Sequence, residues 1–194
     1  GGERVSVAIS IASGHGFGSP YVIETGPTAF APPVYPYILS ILFKFFGPYS
    51  ITAGKAALGI NIVLSALVLI PLFFLTQRLF NRRAALLAAW AWAAMPLTGY
   101  TDAFFVWNTS LFTLALTTFL AITFPFDKFD LRFFPILHGA LAGFTILVDP
   151  ASLIVVGLSC IWLIRERINS KALLTFLLTA SFLPSLWIVR NFLV

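Results

Sequence analysis

The stretch ALGINIVLSALVLIPLFFL, at positions 57–75, contains no charged residue. A helix needs about 20 predominantly apolar residues to cross the hydrocarbon core of a bilayer. The stretch therefore predicts a membrane-spanning helix, and the arginines of QRLFNRR (77–83) are expected to mark its end at the water interface. Asn61, a polar residue within the stretch, is expected to form a hydrogen bond with a neighbouring helix.

The composition extends this interpretation to the whole chain. Of its 194 residues, 59% are hydrophobic and 10% are charged, and the mean hydropathy is +0.96. Soluble domains contain about 25% charged residues, so this chain has too few to cover its surface in water. Because open strand edges are poorly tolerated in a membrane, the predicted fold class is an all-α integral membrane protein.

Apolar stretches recur along the chain and predict six membrane spans, at 51–79, 84–99, 105–125, 133–148, 151–165 and 172–190. Several of these stretches are shorter than the roughly 20 residues that a bilayer requires. They can span only if flanking residues extend the helix or if the bilayer thins locally. The alternative is that two neighbouring stretches form a re-entrant pair.

The positions of the basic residues support six alternating spans. One side of the membrane would receive Arg78, Arg82, Arg83, Lys128, Arg132, Arg165, Arg167 and Lys171, and the other only Arg4, Lys44, Lys55 and Arg190. Cytoplasmic loops carry an excess of Lys and Arg. We therefore expect the richer side to be cytoplasmic, and the N-terminal region to lie on the outer, periplasmic or lumenal side.

The N-terminal region, 1–49, is predicted to be an outer loop that precedes a helical bundle at 50–194. Residues 3–13 have one apolar helical face and predict a short amphipathic helix, which GHGFGSP (14–20) ends. The prolines of TGPTAFAPPVYPYI (25–38) disfavour helix and predict an extended path. Residues 35–47 then predict a second short helix at the membrane interface, with Lys44 reaching the headgroups.

Four acidic residues fall on the predicted outer side: Glu3, Glu24, Asp102 and Asp149. Each has a structural and a chemical interpretation. Glu3 can interact with the positive end of the first helix or act as a general base at the membrane surface. Asp102 can be a solvated loop residue, Asp149 can cap the following helix, and Glu24 can pair with a nearby arginine.

Basic and aromatic residues on the same side are candidates for substrate binding. Arg190 and Lys55 can bind phosphate, although Arg190 can also anchor a helix at the interface. Trp107 is a candidate sugar platform, whereas most of the tryptophans are expected to pack or to lie at the membrane interface. His15 and His138 have no partner at metal-ligand spacing, so no metal site is predicted.

Several motifs together resemble a known family. The most specific are PP-x-Y-P-Y followed by F-x-x-FG (32–47) and the terminal W-x-x-RN (187–191). The chain resembles the bacterial GT-C membrane glycosyltransferases of the protein-mannosyltransferase and aminoarabinose-transferase type. The resemblance implies a first transmembrane helix, an outer loop with two interfacial helices, and six further helices. The chain is thus expected to be a fragment that lacks the first transmembrane helix and the C-terminal part.

The resemblance also implies an activity. Such enzymes transfer a sugar from a polyprenyl-phosphate donor to a lipid, glycan or protein acceptor on the periplasmic face of the bacterial inner membrane. Their catalytic acid lies in the first outer loop, which makes Glu3 the first candidate, with Asp102 and Glu24 as back-up candidates. The family's usual Asp stands slightly upstream, where this chain has Gly1 and Gly2.

The resemblance further implies how the substrate is held. Arg4, Lys55 and Arg190 would offset the charge of the phosphate, and Tyr35, Tyr37 and Trp107 would contact sugar or lipid. No cofactor and no nucleic-acid partner are expected. The alternatives are a non-catalytic membrane subunit or inactive homologue, and a transporter or flippase fragment, which would carry ionisable residues along a path through the membrane.

Overall fold

The computed structural model describes residues 2–21, 23–124 and 133–194, which form helices and no β-strand. The predicted all-α fold class is thereby confirmed. The loop DKFDLR, with Lys128 and Arg132, lies outside the described residues. The helices are α1 (Gly2–Ala12), α2 (Val34–Phe46), α3 (Ile51–Leu67), α4 (Leu69–Leu79), α5 (Arg82–Ala94), α6 (Pro96–Phe104), α7 (Thr109–Thr123), α8 (Phe134–Val148), α9 (Ser152–Arg165) and α10 (Ser170–Leu193).

Helices α3 and α4 follow one another almost without interruption and match the predicted first span. The short break at Val68 precedes Pro71, which lacks the N–H that would pair with the carbonyl of Leu67 in a regular helix. Among the described helices, Ile51–Leu79 and α10 are long and apolar enough to cross a membrane. Helices α7, α8 and α9 are apolar but shorter, so the count of six spans stays a prediction.

The predicted span at 84–99 is wrong in its boundaries. Helix α5 ends at Ala94, Met95 adopts an extended conformation, and Pro96 begins α6. The cause is local, because the residue before a proline avoids the helical region and proline suits the first helical position. The predicted span at 105–125 also begins later, since helix α7 starts only at Thr109. Helices α5 and α6 return along α4 and α3, respectively.

The closest helix pair is α8 with α10. Gly139 and Gly143 face α10 with almost no clearance, since a Cβ atom added to Gly143 would lie 2.7 Å from the carbonyl oxygen of Ala180. Small residues four positions apart let two helix backbones approach closely in a membrane. This G-x-x-x-G spacing is visible in the sequence and could have predicted the pair.

Helices α1 and α2 lie at one end of the bundle, here called the loop end, together with residues 13–21, 23–33 and 105–108. The short helices predicted at 3–13 and 35–47 are confirmed as α1 and α2. Helix α1 packs on α2, which in turn packs on α3 and α8. Their buried contacts centre on Ala8, Tyr35 and Leu39, and this small core holds the loop end against the bundle.

Candidate functional site

A cavity of about 790 Å³ opens at the loop end, between α1, residues 13–21 and 23–27, and residues 104–107. Its size falls in the range of small-molecule sites, which is about 300–1,000 Å³. The wall is mixed in character, with hydroxyl, carboxylate, imidazole and aromatic groups. The lining residues that carry polar or aromatic side chains are Ser6, Ser10, Ser13, His15, Ser19, Tyr21, Glu24, Tyr49, Phe104, Phe105 and Trp107.

One wall of the cavity is a hairpin formed by residues 17–21 and 23–28, here called the loop hairpin. Gly18 and Pro27 form an antiparallel bridge, and the amide of Ser19 donates to the carbonyl of Gly26 at 2.8 Å. A Cβ atom on Gly18 would lie 2.6 Å from that carbonyl oxygen, and Gly26 has a φ of +77°. The hairpin therefore requires glycine at both positions, and it holds Glu24 at the cavity.

Arg190, at the end of α10, holds the loop hairpin onto the bundle. Its guanidinium donates to the carbonyl of Phe17 at 2.8 Å and to that of Thr28 at 2.5 Å, so it contacts both arms of the hairpin. The same guanidinium lies about 5 Å from the ring centres of Phe17 and Trp187, at 5.2 and 5.0 Å. Hydrogen bonds from a charged donor and cation–π contacts both stabilise this arrangement.

The opposite wall is the short segment Phe105, Val106 and Trp107, here called the aromatic rim. The rings of Phe105 and Trp107 stack with their centres 4.6 Å apart and an angle of 25° between planes. The amide of Trp107 donates to the carbonyl of Phe105 at 3.0 Å, which closes a tight turn around Val106. Trp107 is 37% exposed and lines the cavity, so one face of its indole can meet a ligand.

Two buried asparagines hold the aromatic rim. Asn61 of α3 donates to the carbonyl of Phe105 at 3.2 Å, and the Tyr35 hydroxyl donates to the Asn61 Oδ1 atom at 3.0 Å. Asn108 donates to the carbonyl of Val148 at 3.1 Å. The prediction that Asn61 forms an interhelical hydrogen bond is confirmed. A buried amide in an apolar helix is tolerated when its hydrogen bonds are satisfied, as they are at Asn61.

Tyr35 is an internal residue of α2, since only 1% of its surface is exposed. Burial raises its pKa from 10.0 to about 12, because the phenolate would be poorly solvated; the Asn61 hydrogen bond and the charge of Arg4 act in the opposite direction. The phenol therefore remains a hydrogen-bond donor throughout the physiological range. Tyr35 does not line the cavity, whereas Tyr37 of the same helix is 46% exposed and lies 5.7 Å from the Phe17 ring.

The candidate carboxylates differ in their surroundings. Glu24 is exposed and lines the cavity, whereas Glu3 lies in the first turn of α1, next to the lining residue Gly2. Asp102 lies in α6, is only 7% exposed, and accepts a hydrogen bond from the Ser110 hydroxyl. The interpretation of Asp102 as a solvated loop residue is wrong, because α6 extends through Phe104 and packs against α3.

The prediction that Asp149 caps α9 is wrong, because the N-cap position is Ala151 and no side chain makes a capping hydrogen bond there. The Asp149 carboxylate instead accepts from the backbone N–H of Ala151 at 3.1 Å, which stabilises the turn before the helix. Asp149 also accepts from the Asn108 side chain at 3.3 Å. It therefore belongs to the support of the aromatic rim rather than to the cavity wall.

The candidate basic residues differ in their surroundings. Arg4 is partly buried on α1, and its Nε atom is buried without a hydrogen-bond partner among the described residues. Lys55 is exposed on α3, outside the cavity, and Arg190 contacts the loop hairpin. Phosphate binding by these three residues stays a prediction.

Residues of the cavity that the sequence did not single out include Tyr21, Tyr49 and the serines of α1. His15 also lines it, held between Gly14 and Gly16, which both have positive φ. A signal for His15 was present in GHGFG, since glycines on both sides of a polar residue permit a turn that presents it. Within the described ranges, no group of three or more His, Cys, Asp or Glu side chains could hold a metal ion.

The family model described as dolichyl-phosphate-mannose-protein mannosyltransferase matches residues 31–190. No curated protein and no solved structure matches the chain. The matched range includes α2 through most of α10, with the aromatic rim and Arg190, and begins after both Glu3 and Glu24.

Proposed function

Because the chain belongs to the dolichyl-phosphate-mannose-protein mannosyltransferase family, we propose that it transfers a sugar from a polyprenyl-phosphate donor to an acceptor. We place the reaction at the loop end, on the periplasmic face of a bacterial inner membrane. The family is one of membrane glycosyltransferases, which agrees with the apolar helices. The donor class, the acceptor and the side of the membrane are the parts that we propose.

The observation that carries the proposal is the cavity at the loop end, with Glu24 on the loop hairpin and Trp107 on the aromatic rim. Its volume of about 790 Å³ is sufficient for a sugar phosphate. Aromatic rings provide flat apolar faces, which suit the C–H face of a pyranose. A carboxylate in the same space can accept a proton from an attacking hydroxyl.

We propose an inverting displacement at the anomeric carbon. The acceptor oxygen forms a new bond to this carbon while its proton passes to the Glu24 carboxylate. The bond between the anomeric carbon and the phosphate oxygen breaks, and polyprenyl phosphate leaves with the electron pair. A basic side chain would stabilise the charge that grows on the phosphate. Arg190 is less suited to this role, because its guanidinium already donates to two carbonyl groups. Arg4 is the next candidate because its Nε atom has no hydrogen-bond partner among the described residues, although Arg4, like Lys55, does not itself line the cavity.

We rank Glu24 first among the candidates for the general base, whereas the family resemblance ranked Glu3 first. Glu24 lines the cavity, whereas Glu3 would have to reach it from the first turn of α1. Glu3 stays the second candidate, and Asp102 the third because its carboxylate is buried against Ser110. Tyr37 remains a candidate for contact with the sugar or the lipid, and Lys55 for contact with the phosphate, since both side chains are exposed.

The test is transfer of radiolabelled mannose from polyprenyl-phosphate mannose in membranes that contain the full-length protein. We expect Glu24→Gln to lower kcat by about 100-fold or more, as loss of a general base does. Glu166→Gln is the matched control, because Glu166 is exposed and lies beyond α9 at the opposite end of the bundle. Its activity should equal that of the wild type.

Three parts of the proposal can fail separately: the identity of the base, the class of the donor and the side of the membrane. If Glu3→Gln abolishes transfer and Glu24→Gln does not, the base is Glu3 and the assignment to Glu24 is wrong. If the wild type transfers no sugar from any polyprenyl-phosphate donor, the proposed donor class is wrong. Sealed membrane vesicles of the two orientations test on which side of the membrane the reaction takes place. Only vesicles that expose the loop end to the medium should transfer sugar to an added acceptor that cannot cross the membrane.

A further inference from the structure

Asn61 lies in the middle of a hydrogen-bond chain that ends at the cavity wall. The Tyr35 hydroxyl donates to its Oδ1 atom at 3.0 Å, and its Nδ2 group donates to the Phe105 carbonyl at 3.2 Å. Tyr35 and Asn61 are each only 1% exposed, so water cannot replace either partner. The two bonds join α2, α3 and the aromatic rim across long stretches of sequence.

The bond to Phe105 has a different consequence from the bond to Tyr35. The Phe105 carbonyl also accepts from the Trp107 amide at 3.0 Å, so the Asn61 amide fixes the orientation of the turn that presents Trp107. The Phe105 ring, which also lines the cavity, stacks on the indole of Trp107. The Tyr35 hydroxyl, by contrast, orients Asn61 and joins two helices but does not touch the rim.

A second asparagine holds the far end of the rim. The Asn108 Nδ2 group donates to the Val148 carbonyl at 3.1 Å and to the Asp149 carboxylate at 3.3 Å. Asn108 is 5% exposed. Buried amides therefore hold both ends of the aromatic rim. Its backbone also continues from the neighbouring helices, since the Phe105 amide donates to the Thr101 carbonyl at 3.0 Å and the Phe112 amide donates to the Asn108 carbonyl at 2.8 Å.

We propose that Asn61 is a positioning residue that holds Trp107 as a rigid platform for the pyranose ring of the donor sugar. This inference rests on the proposed function and names the residue that prepares its binding surface. A preorganised aromatic face binds without a cost of ordering, whereas a mobile rim must be ordered each time that the ligand binds.

The distinction between positioning and mere stability can be measured with matched variants. Tyr35→Phe removes one buried hydrogen bond and leaves the Asn61 Nδ2 group able to donate to Phe105. Asn61→Leu removes both bonds at similar side-chain volume. If Asn61 positions Trp107, both variants lower the melting temperature, but only Asn61→Leu raises KM for polyprenyl-phosphate mannose. The expected increase in KM is about five- to tenfold, the equivalent of one hydrogen bond, with kcat changed less than KM.

Trp107→Leu provides an independent measurement. Trp107 lines the cavity, so its replacement should raise KM at least as much as Asn61→Leu does, whatever the change in melting temperature. If Asn61→Leu does not fold, Asn61→Ala can be used in its place. It also removes the side-chain amide, and it introduces a small residue that favours helix. An equal rise in KM for Tyr35→Phe and Asn61→Leu, or an unchanged KM in Trp107→Leu, would overturn the inference.

A readout that needs no transferase activity separates this inference from the proposed function. The fluorescence of Trp107 is isolated by subtracting that of the same protein with Trp107→Phe, and its quenching by acrylamide is measured in detergent. We expect quenching to rise about twofold or more in Asn61→Leu and to stay at the wild-type level in Tyr35→Phe. If wild type shows no transfer but this difference persists, the proposed function fails and the positioning role is retained. Unchanged quenching in Asn61→Leu refutes the positioning role.

Discussion

Gly143 is a position at which a single methyl group should disturb the packing of α8 on α10. A Cβ atom there would lie 2.7 Å from the carbonyl oxygen of Ala180 and 3.3 Å from the Cδ atom of Pro184. The carbonyl of Ala180 cannot pair within α10 in the regular way, because Pro184 has no N–H to donate to it. It lies against α8 instead, and no flexible side-chain end is present that could move aside.

The size of the effect follows from these distances. An ordinary contact of a Cβ atom begins at 3.4 Å, so helices α8 and α10 must separate by about 0.7 Å to admit alanine, the difference between 3.4 and 2.7. A gap of 0.5–1 Å forfeits about a quarter to a half of each dispersion contact across it. Overpacking of this kind costs about 1–3 kcal/mol of the free energy of unfolding.

Gly157→Ala is the matched control for Gly143→Ala. Gly157 lies inside α9, is exposed, and has no atom within 4 Å of an added Cβ. Alanine there should stabilise the protein by about 0.5–1 kcal/mol, because glycine lowers the stability of a helix interior. Thermal unfolding in detergent, followed by circular dichroism, measures both variants. If Gly143→Ala is as stable as Gly157→Ala, the close contact of α8 and α10 is not present in the protein.

Two further predictions concern the loop end. The pKa of Tyr35 is raised to about 12, so the folded state retains a proton that the unfolded state loses above pH 10. The raised pKa of Tyr35 contributes about 3 kcal/mol to the free energy of unfolding, the equivalent of two pKa units. This contribution is fully present below pH 10 and is lost as the pH rises to 12. Chemical unfolding at pH 9 and pH 11 measures this effect. The free energy of unfolding should change less between the two pH values in Tyr35→Phe than in the wild type, and an equal change in both proteins would contradict a buried phenol. Arg190→Gln should speed hydrogen exchange in the loop hairpin about tenfold or more, since it removes charged donors; exchange measured by mass spectrometry that stays unchanged would refute the anchoring role.

Much of the helical architecture was predictable because it depends on local properties. Hydrophobic stretches and proline or glycine at their ends predicted α1, α2, α8, α9 and α10 to within a few residues. The errors at α5, α6 and α7 arose where an apolar stretch continues across a break. Helix α5 ends before the Met95–Pro96 pair, because a residue before proline avoids the helical conformation. The sequence prediction missed this end, because the apolar residues on both sides indicated one continuous helix.

The candidate site was predictable only in part. Glu24 and Trp107 were candidates from their positions in polar segments, and both line the cavity. Asp102 was misjudged because the sequence around it is polar, whereas packing of α6 on α3 removes it from water. The support of the rim by Asn61 depends on a carbonyl 44 positions away, so no local pattern could identify its partner.

The sequence by itself determined the class of protein, since apolar length and the shortage of charges decide whether a chain enters a membrane. It also determined the family, which the motifs at 32–47 and 187–191 carry. Only the tertiary structure decided that Arg190 anchors the loop hairpin, through carbonyls 162 and 173 positions away. The physical reason is that backbone carbonyls are the same in every residue, so such partners are chosen by the packing of the helices and not by side-chain identity.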